Sequence, residues 1–279
     1  MATPDPERLL RAALRVIEAL GGGGRVDRRK LAADVNGHPH SLDDGRPLSG
    51  LVLALLCAGG ITDTGLRARR AWECVGVDLD DVTGGLLVVG IAPRGWVVPT
   101  GCAVTLPPRT LASCAWPAPD RPESWVFVTE NPSVAAACQE LVEGGAHPRL
   151  LCTSGTPTQV EVESIAGLER VGWRLAVRAD FDSAGIRHVG QLLRAAPGAV
   201  PWRMMLEDYD QSRREDDWVV DLDRRSLPET FWDARLFERM QETGAAAFEE
   251  SLLPKLLEDV RTGTCPPPGP GNGRAAEEP

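Results

Sequence analysis

Three carboxylates in the second half of the chain, Glu130, Asp180 and Asp182, have the types and spacing to do chemistry on a phosphate. Asp180 and Asp182 flank one phenylalanine in the stretch "RADFDSAGIRH". In extended backbone, residues i and i+2 point to the same side, so both aspartates can reach one ion. Glu130 closes a separate apolar run, "WVFVT". Three carboxylates in one crevice repel one another unless a cation neutralises them. Mg²⁺, or Mn²⁺ in its place, suits oxygen ligands and is usually held by one or two carboxylates plus waters and substrate phosphates. Such a site supports phosphoryl transfer, because the metal polarises the phosphate and stabilises the leaving oxygen. The competing reading is two solvated acids in a turn. Asp-x-Asp is a cheap pattern, and it recurs at Asp78/Asp80, Asp208/Asp210 and Asp221/Asp223, which read as turn or loop acids.

Position favours the metal reading. From residue 125 the chain alternates short apolar runs with amphipathic ones. "WVFVT" (125–129), "RLLCT" (149–153), "WRLAVRA" (173–179) and "VPWRMML" (200–206) read as four strands. Between them, "PSVAAACQELVEGG", "TPTQVEVESIAGLERVG" (started by Pro157) and "SAGIRHVGQLLRAA" carry apolar residues at helical spacing. Strand–helix alternation implies βαβ units and a parallel sheet covered by helices. Ligands of such sheets bind beyond the carboxyl ends of the strands, at the switch point of strand order. In the flavodoxin-like order 2-1-3-4 the first and third strands are neighbours, so Glu130 and the Asp180/Asp182 pair face one crevice.

The rest of the chain divides as follows. Residues 1–116 are expected to form a smaller α+β domain, with helices at 6–20, within "RVDRRKLAADV" and at 49–60, and Val-rich strands from about residue 72. "AWPAPDRPES" reads as a linker (117–124), "EDYDQSRREDDW" as a charged loop, and residues 230–263 as two helices. The Pro- and Gly-rich tail 263–279 is expected to be disordered.

Composition sets further bounds. The formal net charge of −10 should repel nucleic acid on average, so action on DNA needs metal ions, a local basic surface or a partner that delivers the strand. Seven scattered cysteines without a C-x-x-C pair argue for a reducing cytoplasm. The four histidines lack ligand spacing, and His38 and His40 belong in a loop. No secretory leader and no apolar run of membrane-spanning length is read.

The Glu-then-Asp-x-Asp pattern on a βαβαβ frame resembles the Toprim domain of topoisomerases, primases and several nucleases. "VFVTENPSVAAA", "LLCTSGTPT", "ADFDSAGIRHVGQLL" and "FWDARLFERM…AAFEESLLPKLLEDV" look like the C-terminal Toprim domain of the nuclease subunit of Wadjet-type plasmid-defence systems. "GHPHSLDDGRPLSGLVLALL" looks like the domain before it in one branch of that family. The resemblance covers roughly residues 30–262. It implies a Rossmann-like parallel sheet, Glu130 as general acid/base and metal contact, and Asp180 and Asp182 as the metal-binding pair. It further implies a cytoplasmic DNA endonuclease that cuts closed circular plasmid with an SMC-like ATPase, a kleisin and an accessory protein. The A-type subunit of topoisomerase VI is distantly similar in this picture, and proteins of that type are dimers, which makes a homodimer the guess for oligomeric state. They also carry a winged-helix module with a nucleophilic tyrosine. Here the first region is short and the single tyrosine, Tyr209, follows the strands, so hydrolysis by water is expected.

Lesser candidates surround the acids. Ser154 and Gly155 follow the second strand, where a glycine lets backbone approach a phosphate; turn chemistry explains them equally well. Arg187 could neutralise a phosphate, or pair with a local acid. Asn131 is expected to cap the next helix. Glu249 and Glu250 read as mid-helix and solvated, with Glu250 as a possible accessory carboxylate. Arg67, Arg69 and Arg70 form the compact basic cluster of the first half, a solvated turn or a contact to DNA or a partner. The alternative function is a catalytically weak Toprim-like scaffold or DNA-binding subunit of the same complex. Primase-like or RNA-processing chemistry has less support, since no zinc-binding or nucleotide-binding motif is read.

Overall fold

The computed structural model describes residues 5–63, 68–78, 84–215 and 220–267. The chain divides into two compact units, residues 1–83 and 84–279.

The first unit contains α1 (Pro6–Leu20), β1 (Val26–Asp27), α2 (Arg28–Asn36), α3 (Pro47–Ala58), α4 (Ala68–Cys74) and β2 (Val77–Asp78). Asp5 caps α1 through the Glu7 N–H, and Pro6 opens the helix, where its missing N–H costs nothing. Ala13 and Val16 of α1 pack with Leu31, Leu42, Val52 and Trp72 in one small core. β1 and β2 pair in parallel over two residues each. The segment expected as a strand from Trp72 is instead, over 72–78, the end of α4 followed by this two-residue pairing, and Leu79 lies outside the described residues. His38 and His40 lie in the loop between α2 and α3, where His40 pairs with Asp43. The side chains of the Arg67, Arg69 and Arg70 cluster, Asp80 and most of the tail lie outside the described residues.

The second unit begins with β3 (Leu86–Val89), β4 (Ala103–Leu106) and α5 (Pro108–Leu111). The regular alternation follows: β5 (Trp125–Thr129), α6 (Pro132–Glu143), β6 (Leu150–Cys152), α7 (Gln159–Arg170), β7 (Arg174–Val177), α8 (Ser183–Ala195) and β8 (Val200–Pro201). After it come α9 (Leu206–Glu215), α10 (Ala234–Thr243), a 3-10 turn at Glu249–Leu252 and α11 (Leu253–Thr262). The six strands lie in the order β4-β3-β6-β5-β7-β8. From β6 to β8 all pairings are parallel and the order is the expected 2-1-3-4.

All five residues of β5 are buried, as a strand covered on both faces requires. Val126, Val128, Leu175 and Val177 face the core shared with α7 and α8. Trp125, Phe127, Leu150 and Ala176 face the core shared with α6 and α11. The alternation along each strand thus feeds two layers of helix. α6 and α7 lie on opposite faces because β6 and β7 flank β5 on opposite sides, and right-handed crossovers then change face.

Four sequence expectations give way here. β3 and β4 extend the larger sheet rather than completing the first domain: β3 pairs antiparallel with both β4 and β6. The linker is tied down, since its Pro117 carbonyl accepts from Trp173 Nε1 at 2.7 Å. α7 starts at Gln159, not Pro157, with Thr158 as its N-cap in a reciprocal capping box with Glu161. The charged segment after β8 is helix α9, so Asp208 and Asp210 are helical acids rather than loop acids. Buried Tyr209 and Ser212 anchor that helix.

Candidate functional site

The parallel strands deliver the three acids to one edge of the sheet. β5 and β7 are hydrogen-bonded neighbours running the same way, with Val128 opposite Val177. Glu130 leaves the end of β5, and Asp180 leaves the end of β7 three residues past Val177. β6 and β7 lie on opposite sides of β5, so this edge is a switch point, as expected.

Asp182 is the N-cap of α8, and its Oδ1 accepts from the Gly185 N–H at 2.7 Å. Asp180 Oδ1 accepts from the Glu249 main-chain N–H at 2.8 Å. Gly185 fits only as glycine: a Cβ there would lie 2.1 Å from the Asp180 carbonyl oxygen. The turn "DFDSAG" therefore closes tightly enough to bring both aspartates to the start of one helix.

Burial pushes the Asp180 carboxyl up to about 6, and the charges of Glu130, Glu250 and Asp182 push it the same way. The Glu249 N–H works against them. Among the described residues Glu130 Oε2 is buried without a hydrogen-bond partner, and His188 Nδ1 lies 3.7 Å from it.

Beneath the acids lies a pair that sequence reading missed. Arg178 and Glu249 are both fully buried, with Nε 3.3 Å from Oε1. Glu249 also accepts from Thr129 Oγ1 at 2.9 Å and from the Asn131 N–H at 2.9 Å. Burial raises the Glu249 carboxyl to about 7, although Arg178 opposes the rise. Burial likewise lowers the affinity of Arg178 for its proton, and Glu249 restores part of it. Arg178 Nη1 donates to the Arg203 carbonyl at 2.8 Å. Glu249 is therefore neither solvated nor mid-helix; it opens a 3-10 turn and ties the end of β5 to the end of β7. The available signal was an arginine inside an otherwise apolar strand end, which demands a buried partner.

The lesser candidates resolve individually. Asn131 caps α6 by accepting from the Ser133 N–H. Its Nδ2 and Ser133 Oγ both donate to Glu250 Oε1, so Glu250 is held at the start of α6, close enough for its charge to reach Asp180. Ser154 adopts φ 52° and Gly155 φ 110°, a left-handed turn. The Gly155 N–H donates to the Glu130 carbonyl at 3.3 Å, so the turn braces Glu130 and does not offer that N–H to a phosphate. Arg187 donates to the Ser226 carbonyl at 3.1 Å rather than to an acid. Tyr209 is buried; its hydroxyl lies 2.6 Å from Thr243 Oγ1 and donates to the Ala245 carbonyl at 2.7 Å.

The donor set at the acidic edge is all oxygen, which suits a hard divalent cation. The raised Asp180 carboxyl fits such a cation as counter-charge. Among the described residues, however, no three His, Cys, Asp or Glu side chains form a group that could hold a metal ion. Asp182 is turned to its cap, and one oxygen of Asp180 is taken by Glu249. Among the described residues, the carboxylates at this edge therefore form no finished three-carboxylate cage. Among the described residues no helix is long and apolar enough to cross a membrane.

No curated protein matches the chain. Residues 2–93 match a family model described as "Protein of unknown function N-terminus (DUF3323)". Residues 104–260, more than half of the 279, match one described as "Protein of unknown function C-terminus (DUF2399)". The two matches divide near the start of the six-stranded unit, and the second spans Glu130, Asp180 and Asp182. On the larger match, this chain belongs to the DUF2399 family.

Proposed function

We propose that the chain is a metal-dependent DNA endonuclease subunit that hydrolyses phosphodiester bonds of closed circular DNA. The observation that carries this reading is the meeting of Glu130, Asp180 and Asp182 at the switch point between β5 and β7. The sequence resemblance to Toprim nucleases of Wadjet-type systems supports it and supplies the expected partners, an SMC-like ATPase with its kleisin and accessory protein.

A bound Mg²⁺ or Mn²⁺ supplies polarisation of the phosphate and stabilisation of the leaving oxygen. Glu130 and Asp180 would hold it, with Asp182 adding charge while it caps α8. Glu130 takes the proton of the attacking water as that oxygen bonds to phosphorus and one P–O ester bond breaks. Tyr209 is buried and hydrogen-bonded, which favours water over a protein nucleophile. The net charge of −10 fits a nuclease whose DNA is delivered by a motor.

A non-catalytic scaffold in the same complex is the second reading. It draws support from the absence, among the described residues, of a ready three-ligand group. One experiment separates the two: plasmid nicking and linearisation by the purified complex with Mg²⁺ or Mn²⁺, comparing wild type with Glu130→Ala and Asp182→Asn. The nuclease reading expects loss of cutting in both variants and with EDTA. Undiminished cutting by both variants would sink the site assignment.

A further inference from the structure

His188 is a buried ionisable side chain near the acids whose presence neither the fold nor the proposed hydrolysis explains. It lies on the core-facing side of α8 with its side chain fully buried. Among the described residues neither ring nitrogen has a hydrogen-bond partner, and neither does Glu130 Oε2. The two orphans face each other, with Nδ1 3.7 Å from Oε2. A neutral imidazole always carries one N–H, and a buried donor left unpaired bears its full desolvation penalty. The same holds for the buried carboxylate oxygen. An N–H···O bond needs roughly 2.7–3.2 Å, so a small side-chain rotation satisfies both groups at once.

We propose that His188 is the positioning residue of Glu130, donating its Nδ1–H to Glu130 Oε2 and fixing that carboxylate within the acid cluster. The inference rests on Glu130 being a site carboxylate, and it adds a residue to that site. Its helix gives His188 leverage, because α8 carries Asp182 as its N-cap and packs Gly185 against the Asp180 carbonyl. One helix then orients all three acids: two through its first turn, and Glu130 through His188.

The direct test reads the imidazole tautomer in the full-length chain labelled with ¹⁵N-histidine, at about pH 8 where an unpaired imidazole is neutral. The His188 signals are assigned by their loss in His188→Asn. The expected result is the Nδ1–H tautomer in wild type, reverting to Nε2–H in Glu130→Ala. An Nε2–H ring in wild type, or ring shifts unmoved by Glu130→Ala, would overturn the proposal.

A second readout is Mn²⁺ affinity, followed by loss of the free-ion EPR signal. His188→Leu should weaken binding about tenfold or more, whereas His188→Asn, which keeps a donor near Nδ1, should stay within about threefold of wild type. Equal weakening by both variants would reduce His188 to a packing role and overturn the proposal. Wild-type protein that binds no Mn²⁺ would defeat the metal reading of the site, while the tautomer would still decide the role of His188.

Discussion

The main-chain N–H of Glu249 donates to Asp180 Oδ1 at 2.8 Å, while the Glu249 side chain pairs with Arg178 and accepts from Thr129 and from Asn131. One residue thus joins the ends of β5 and β7 beneath the candidate site. The segment that carries it is also zipped to Phe181 through Ala247.

That junction predicts a large stability loss when the arginine is removed. Arg178→Ala leaves a buried carboxylate without its counter-charge, which costs about 3–5 kcal/mol. The double variant Arg178→Met/Glu249→Gln should recover most of the loss, because both charges go together. Urea denaturation followed by circular dichroism checks both numbers, and a single variant within about 0.5 kcal/mol of wild type would contradict the pairing.

Asp182 has two separable jobs. Asp182→Ala removes the cap of α8 and should cost about 1 kcal/mol, whereas Asp182→Asn retains a good capping side chain and should cost less than half of that. Cutting activity should fall in both. A variant that keeps its stability and loses activity identifies the carboxylate charge, rather than the cap, as the functional element. The asparagine variant is therefore the cleaner probe.

Stability against pH should carry the mark of Asp180. Its folded carboxyl titrates at about 6, above its ordinary value of 3.8. The folded state therefore holds this proton more tightly than the unfolded chain. Its contribution is fully present below the unfolded value and is lost as pH rises through about 6. Glu249, raised to about 7, acts in the same direction. Melting temperatures from pH 4 to 8 should decline less steeply for Asp180→Asn than for wild type. Parallel curves would show that burial does not hold the Asp180 proton.

Gly185→Ala tests the closeness of the turn. A Cβ 2.1 Å from the Asp180 carbonyl oxygen forces the strand end and the helix apart. The expected cost is about 1–3 kcal/mol or more, with loss of whatever activity the aspartates support. By contrast, Gly50→Ala, on a helix and with open space around it, should be neutral or slightly stabilising. Thermal melts of the two variants side by side check the contrast.

Much of this architecture is legible in the chain because local pattern and tertiary role agree. β5 is a continuous apolar run bounded by polar residues, and α8 shows Ile186, Val189, Leu192 and Leu193 on one face. The strand order that such alternation favours already sets the end of β5 beside the end of β7. Where sequence reading failed, the deciding contacts were distant or the local signal was weak. α9 has few apolar residues; what buries it is Tyr209 and Ser212 against residues thirty or more positions later. The strand expected over 200–206 pairs with β7 only through Val200 and Pro201, and at Arg203 the backbone turns with φ 48°. Arg178 and Glu249 are 71 positions apart, and no periodicity links them.

The cap of α8 has one more consequence. The Gly185 N–H is held by the same carboxylate that sits at the acidic edge. A ligand that drew the Asp182 oxygens away would release that proton to solvent, and one that left them in place would not. The Gly185 amide is thus a built-in gauge: its hydrogen-exchange rate, followed with and without cation or DNA, would report from inside the first turn of the helix whether the edge is occupied.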